Sequence, residues 1–462
     1  MSYYNENARQ IQSKLNETSC SFCPAKWTQV TIHLQNGFTH SCHHPAPHKI
    51  PLEELEKNPH ALHNTQYKIE QRKQMLEGKQ PKECNYCWNI ENLGKDHLSD
   101  RHYKSSEYWS AEYIDTILQD PLSEKFLPTY LEVSFSNVCN LNCMYCSPQI
   151  SSKWQDDIRR NGPYDLGDFK HADLGWLDRQ GMTPIPERED NPYVNAFWKI
   201  WPELSQNLRV FRITGGEPLM SKHTWRILEY IQQNPNPNME LLINTNLCVQ
   251  DKLIDRLIEI GKDLIENEKV KRFEIYTSIE STHEQAEYIR PGLDYEKFIK
   301  NLMRVTTEMP MIKWRSKVVI MATFNLLSIP KFRLLLDWLL EYRLIFSAKD
   351  WKNIWLDISY LRYPSWQTVS LANKEMLDIL KNDLDYMKEN DQDNIGHWGF
   401  QDTEIEKFER MYEHAVSSSK NVPAIEYTRF YNFYKEHDKR KGFNFVETFP
   451  ELEKFYNDCK PQ

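Results

Sequence analysis

The chain has 462 residues, a formal net charge of −9, 40% hydrophobic residues and 27% charged residues. That balance excludes a disordered or collagen-like chain, and its acidic sign argues against a nucleic acid or an anionic membrane surface as partner. No apolar run reaches the roughly 20 residues that cross a bilayer, since Phe332–Phe346 is broken by Arg333, Asp337, Glu341 and Arg343. The start, MSYYNENARQ, lacks the basic and apolar segments of a secretion signal, so a cytoplasmic location and no membrane partner are expected. In that reducing compartment 10 cysteines are not a disulfide framework. Their clustering at ligand-like spacing (Cys20 with Cys23, Cys84 with Cys87, and Cys139, Cys143 and Cys146) points to metal.

In chain order, residues 1–127 read as a separate unit with a strand-like Trp27–Leu34, a turn at Gln35-Asn36-Gly37 and a polar helical middle, Leu52–Glu77. From 128 to 365, short apolar strands alternate with amphipathic helices. The strands are Tyr130–Ser136, Leu208–Thr214, Glu240–Thr245, Arg272–Ile279, Lys317–Thr323 and Ile354–Leu361. The helices include Thr224–Gln232, Asp251–Ile265, Tyr295–Thr307 and Ile329–Leu344, the last with Ser328 as N-cap and Pro330 in its first turn. This order predicts an α/β fold with parallel strands, curved or closed as a partial barrel. Residues 157–192, rich in Gly, Pro and charge, break the rhythm. They read either as a lid facing the substrate or as a solvated surface loop. Residues 366–462 read as a mostly helical, polar extension in which Asp438 and Arg440 form structural ion pairs.

Two loops carry the chemistry. Cys139, Cys143 and Cys146 follow the first strand on one short loop. Three thiolates there can hold three irons of a 4Fe–4S cube and leave the fourth open to a small molecule. A zinc site lacking its fourth ligand, or buried structural thiols, are the alternatives. Gly215-Gly216-Glu217-Pro218 ends the second strand. There glycine permits close approach of a ligand to the backbone, and the carboxylate can receive an ammonium group.

Together these residues resemble the radical S-adenosylmethionine (radical SAM) superfamily. Cys139, Cys143 and Cys146 match its CxxxCxxC signature and Gly215–Pro218 its GGEP motif, over roughly residues 128–365. The resemblance implies a partial (β/α)6 barrel and a 4Fe–4S cluster whose open iron is chelated by SAM. It also implies reductive cleavage of SAM to a 5′-deoxyadenosyl radical that abstracts hydrogen from a substrate. Carried over residue by residue, it assigns cofactor contacts to Gly215, Gly216 and Glu217, and to Tyr145 beside the adenine. Ser278 and Glu280 fall at the ribose or the methionine part, Arg290 at the methionyl carboxylate and Asn325 at the ribose. Barrel packing for Tyr145 and a plain salt bridge for Arg290 are the competing roles. No catalytic residue is assigned. The implied electron donor is a flavodoxin or ferredoxin.

The N-terminal cysteines resemble the first half of a SPASM domain, the twitch unit. Cys23 is followed by thirteen residues, Gly37, four residues and Cys42, and after 41 intervening residues come Cys84 and then Cys87. The resemblance implies a second, auxiliary 4Fe–4S cluster on Cys23, Cys42, Cys84 and Cys87, with Cys20 as a fifth candidate. In relatives this unit follows the barrel, whereas here it precedes it. A zinc site is the alternative, because CxxC pairs are the usual tetrahedral arrangement and His40, His43, His44 and His48 lie nearby. The domains expected are therefore 1–127 auxiliary, 128–365 radical SAM core and 366–462 helical extension. Twitch and SPASM relatives often modify peptides, which makes a peptide or protein side chain the leading substrate. A nucleotide-derived or other small metabolite is the runner-up, and a zinc-binding interaction protein with a non-catalytic barrel is the reading from another class.

Overall fold

Apolar residues at alternate positions build strands here, and apolar residues three and four apart build the helices that cover them. The computed structural model describes residues 3–94, 97–346 and 354–461. Its strands are β1 Gln29–His33, β2 Phe38–His40, β3 His48–Lys49, β4 Tyr130–Ser134, β5 Tyr164–Asp165, β6 Lys170–His171, β7 Val210–Thr214, β8 Asn236–Thr245, β9 Val270–Ser278, β10 Ser316–Phe324 and β11 Ile354–Tyr360. All six strands read between 128 and 365 are present, each within a few residues of the expected bounds. No helix among the described residues is long and apolar enough to cross a membrane.

The chain divides into two units. The first comprises residues up to Asn137 with Gly181–Leu242 and Lys269–Lys271, and the second Val138–Gln180, Ile243–Glu268 and Arg272 onward, so β8 and β9 contribute to both. In the first unit the hydrogen-bonded order is β8–β7–β4–β1–β2–β3. β4 pairs parallel with β7, Val133 beside Ile213, and β1 pairs parallel with β4, Ile32 beside Val133. The expected turn brings the chain back from β1 into β2 antiparallel. Gly37 is required there: its φ is +68°, and a Cβ would lie 2.0 Å from the Tyr193 ring. Beneath the N-terminal helices, Leu15, Phe22, Trp27, Met75, Trp88, Ile114 and Ile117 form an apolar core that also takes in Cys84 and Cys87.

In the second unit β9, β10 and β11 run parallel, with Ser278 beside Met321 and Phe324 beside Tyr360. The helix Asp251–Glu266 buries Ile254, Leu257, Ile258, Gly261, Leu264 and Ile265, the pattern of one helical face. The helix expected to start at Ser328 begins differently. A 3-10 turn, Leu326–Lys331, precedes the α-helix Phe332–Phe346, and its cap is Asn325, with the Ser328 side chain returning to the Asn325 backbone. Pro330 lies inside that 3-10 turn, where its missing N–H breaks no α-helical bond.

The segment read as a lid is pinned in place. Its part within this unit consists of the end of the helix Ser152–Asn161, the β5–β6 hairpin and the helix Leu174–Arg179. The C-terminal helix Ala424–Lys441 holds it: Arg440 donates to the Gly162 carbonyl at 2.9 Å, Asn432 to the Leu166 carbonyl at 3.0 Å, and Lys441 to Asp157 at 3.1 Å. Arg440 forms the expected ion pair, with Glu436 at 2.8 Å, whereas Asp438, expected in an ion pair, instead accepts from the Tyr288 hydroxyl at 2.7 Å.

Burial in this helical layer creates an acid sensitivity. His437 is held down at about 3 and His171 at about 4, both by desolvation. Above pH 6.5 both are neutral whether folded or unfolded, and neither affects stability. Below it the unfolded chain takes up protons that the folded chain refuses, so stability falls as pH drops toward the folded values. At pH 5 the expected loss is up to about 2 kcal/mol per histidine. Urea unfolding at pH 7 and pH 5 reads it, and His437→Gln is expected to flatten the difference.

Candidate functional site

The three-cysteine loop lies in the second unit and is fixed from several segments. Asn142 and Met144 donate backbone N–H groups to the Pro291 and Ile289 carbonyls, each at 2.9 Å. Trp154 Nε1 donates to the Cys143 carbonyl at 2.8 Å, Ser151 Oγ to the Leu141 carbonyl at 2.8 Å and Gln367 Nε2 to the Met144 carbonyl at 3.2 Å. Asn140 donates to the Cys248 carbonyl and receives Asn246, both at 2.8 Å. Gly292 allows this packing, since a Cβ there would meet the Asn140 carbonyl at 2.9 Å. Most of the bonds that shape the loop are made by backbone and neighbouring side chains, and Cys139 Sγ adds one by accepting the Leu141 N–H at 3.4 Å. Burial pushes the Cys143 thiol up and Cys146 to about 12. Ligation requires thiolates, so taking up metal here must release protons.

Beside Cys143 sits a buried ionic cluster. Arg290 donates from Nε to Glu280 Oε2 at 2.8 Å, and its Nη2 reaches both Glu280 Oε1 and the Tyr145 hydroxyl. Tyr145 donates to Glu280 Oε1 at 2.8 Å, and the Thr323 N–H joins at 3.2 Å. Arg290 Nη1 lies 3.5 Å from Cys143 Sγ. Glu280 and Arg290 are only 1% and 5% exposed, and burial pushes the Tyr145 hydroxyl well above its usual range. Four of the residues picked from sequence (Cys143, Tyr145, Glu280 and Arg290) thus form one connected cluster.

The other candidates are placed as follows. Ser278, half-buried, ends β9 two residues before Glu280. Asn325 is fully buried and spends its side chain on backbone, accepting from the Leu327 N–H at 3.0 Å and donating to the Thr323 carbonyl at 3.1 Å. In the first unit, Gly215 has φ +124°, and a Cβ would lie 2.6 Å from Ser134 Oγ and 2.8 Å from the Ser136 carbonyl. Glu217 is 1% exposed and caps the turn Pro218–Met220 by accepting the Leu219 N–H at 3.0 Å. Gly215→Ala is therefore expected to cost about 1–3 kcal/mol through backbone strain, read as a lower urea midpoint.

A second thiol site lies in the first unit. Cys23, Cys42, Cys84 and Cys87 line one cavity with Lys26, His44, Asp100, Arg101 and Lys104, about 440 Å³ of non-protein space partly open to solvent. Burial pushes all four thiols up, Cys87 to about 12, and Cys23 rises further because the other three crowd it. Against that rise, Lys26 favours the thiolates of Cys42 and Cys84, and the Arg101 N–H favours that of Cys87. Cys20 stands outside, exposed, with its thiol on the Gly78 carbonyl at 3.4 Å. His44 is held by Asp100 at 2.6 Å and stacks on Tyr86, while His48 meets Thr65 at 2.9 Å. Among the described residues, no three His, Cys, Asp or Glu side chains close to the spacing of a single metal ion. Lys26 was missed in the sequence, where nothing marks it apart from surface lysines.

Residues 133–312 match the family model of the radical SAM superfamily. That segment of the chain is thus similar to the radical SAM domain. A GTP 3′,8-cyclase of Mycobacterium ulcerans (strain Agy99) is 28% identical over 158 residues, 34% of this chain and 36% of that protein. A mitochondrial GTP 3′,8-cyclase of Arabidopsis thaliana is 27% identical over 172 residues, 36% and 35% of the two chains. The alignments span about a third of the length of these relatives. Among solved structures, native anSMEcpe with bound AdoMet aligns at 16% identity and TM-score 0.35, covering 59% of this chain and 64% of that one. Streptococcus suis SuiB bound to precursor peptide SuiA aligns at 12% identity and TM-score 0.35, covering 81% and 71%.

Proposed function

We propose that the protein reductively cleaves SAM at a 4Fe–4S cluster held by Cys139, Cys143 and Cys146 and abstracts hydrogen from a peptide or protein side chain. The observation that carries the SAM site is the fixed three-thiol loop with the Arg290–Glu280–Tyr145 cluster beside Cys143. The residues fit the group: three thiols on a loop whose backbone is anchored elsewhere, and a guanidinium suited to a carboxylate. When bound, the cluster and SAM supply a one-electron reductant and a 5′-deoxyadenosyl radical. The chain's own part is to hold the thiols, to present Arg290 to the methionyl carboxylate in competition with Glu280, and to keep water out behind Trp154 and Tyr145. Ser278, Asn325 and, in the first unit, Gly215, Gly216 and Glu217 are assigned to SAM by the resemblance. For Asn325 that role requires release from its cap.

The proposal extends to a partial (β/α)6 core at 128–365, a helical extension at 366–462 and an auxiliary cluster at 1–127 on Cys23, Cys42, Cys84 and Cys87. Four thiols around one cavity, with Lys26 and N–H groups favouring their thiolates, are a donor set that a 4Fe–4S cluster uses. A flavodoxin or ferredoxin donor in the cytoplasm belongs to the same proposal. The second reading is a nucleotide-derived substrate, supported by the GTP 3′,8-cyclase relatives over the matched segment.

Iron, sulfide and zinc content after oxygen-free purification tests the cofactors, with about eight irons per chain expected for two clusters. One zinc with about four irons would make the N-terminal site structural. 5′-Deoxyadenosine formation under dithionite tests the substrate. Stimulation by peptides supports the lead, and stimulation by GTP but not by peptides replaces it with the second reading.

A further inference from the structure

We infer that Lys26 sets the reduction potential of the metal centre on Cys23, Cys42, Cys84 and Cys87, raising it above what four thiolates in the same apolar pocket would give alone. The inference rests on the proposed auxiliary cluster and concerns what tunes it.

Lys26 lies three residues after Cys23 and is 3% exposed. Its Nζ is 3.7 Å from Cys84 Sγ, within reach of an N–H···S bond, and it pairs with Glu83, the residue before Cys84. The other buried cation lining the cavity is ion-paired as well, but its side-chain donors go to groups other than sulfur. Arg101 gives Nε and Nη2 to Glu91 at 2.9 and 2.7 Å, and Nη1 to the Phe22 carbonyl at 2.9 Å. Lys104 lines the cavity from a half-exposed position, where water screens it. Lys26 is therefore the buried side-chain charge that touches a ligand sulfur.

Reducing an iron–sulfur cluster adds one negative charge to a group already made anionic by its thiolates. An ammonium held against one of those sulfurs in a dry pocket stabilises the reduced form more than the oxidised form, and hydrogen bonds to sulfur act in the same direction. Glu83 opposes it, because its carboxylate shares the ammonium and lies next to Cys84 in the chain. The two residues thus push the potential in opposite directions, so removing each charge should move the midpoint with its own sign.

The test uses the full chain with Cys139, Cys143 and Cys146 replaced by alanine, so that only the N-terminal site holds iron. A redox titration followed by electron paramagnetic resonance reads the midpoint. Lys26→Met combined with Glu83→Gln, which avoids stranding a buried carboxylate, is expected to lower the midpoint. A tenfold change in the one-electron equilibrium, about 59 mV, is the scale expected. Glu83→Gln alone, which keeps every cysteine and Lys26, is expected to raise it. Lys26→Arg should restore most of the double variant's loss. Iron retained with an unmoved midpoint, or with both variants shifted the same way, overturns the inference. Zinc or no iron in the parent chain overturns the auxiliary cluster itself, and is seen before any titration.

Discussion

Replacing Cys139, Cys143 and Cys146 together by alanine is expected to abolish SAM cleavage while the chain stays folded. About four irons per chain should be lost and about four kept. 5′-Deoxyadenosine formed under dithionite should fall to the uncatalysed background. The fold is expected to survive because most bonds that hold the loop do not involve the thiols: the Asn142 and Met144 N–H groups on the Pro291 and Ile289 carbonyls, Trp154 on the Cys143 carbonyl and Ser151 on the Leu141 carbonyl. Unfolding followed by circular dichroism checks this. A large loss of stability would show that the thiols shape the loop, and retained cleavage would remove the proposed site.

The second large effect concerns Arg290 and Glu280. Arg290→Leu leaves the Glu280 carboxylate, 1% exposed, without its counter-charge. The expected cost is about 3–5 kcal/mol, the usual penalty for breaking a buried pair. Removing both charges as Arg290→Leu/Glu280→Leu should recover most of that stability, since an apolar pair of similar volume tolerates burial. It should not recover SAM binding. Losing one hydrogen bond to a charged group is worth about 1.5–3 kcal/mol, roughly a 10- to 150-fold weaker Kd. Urea unfolding and SAM titration on the cluster-loaded protein separate the two roles. Restored affinity in the double variant would make Arg290 a structural ion pair only, the alternative kept open from sequence.

What could be read without coordinates was local. The six strands and their helices show as periodicities of two and three to four residues, and the turn at Gly37 shows because its φ of +68° favours glycine. The sequence is less informative where distant chain decides. The segment 157–192 looks unanchored in sequence, yet Arg440, Asn432 and Lys441, more than 250 residues on, pin its first half. Asn325 carries a polar group at the end of a strand, the expected place for a ligand contact. Packing nevertheless buries it as the cap of the turn Leu326–Lys331.

The two thiol sites mark the same division. Spacing alone singled out Cys139, Cys143 and Cys146, because three donors within eight residues share one loop whatever the rest of the chain does. For Cys23, Cys42, Cys84 and Cys87 the choice rests on the resemblance to the twitch unit, which leaves Cys20 as a fifth candidate. Tertiary structure left Cys20 outside that cavity, set Lys26 against Cys84 and Glu83 from 58 and 57 residues away, and turned Arg290 toward Glu280. Donor atoms are local and their spacing is covalent. The burial and counter-charges that set their protonation and potential come from segments brought together only by folding.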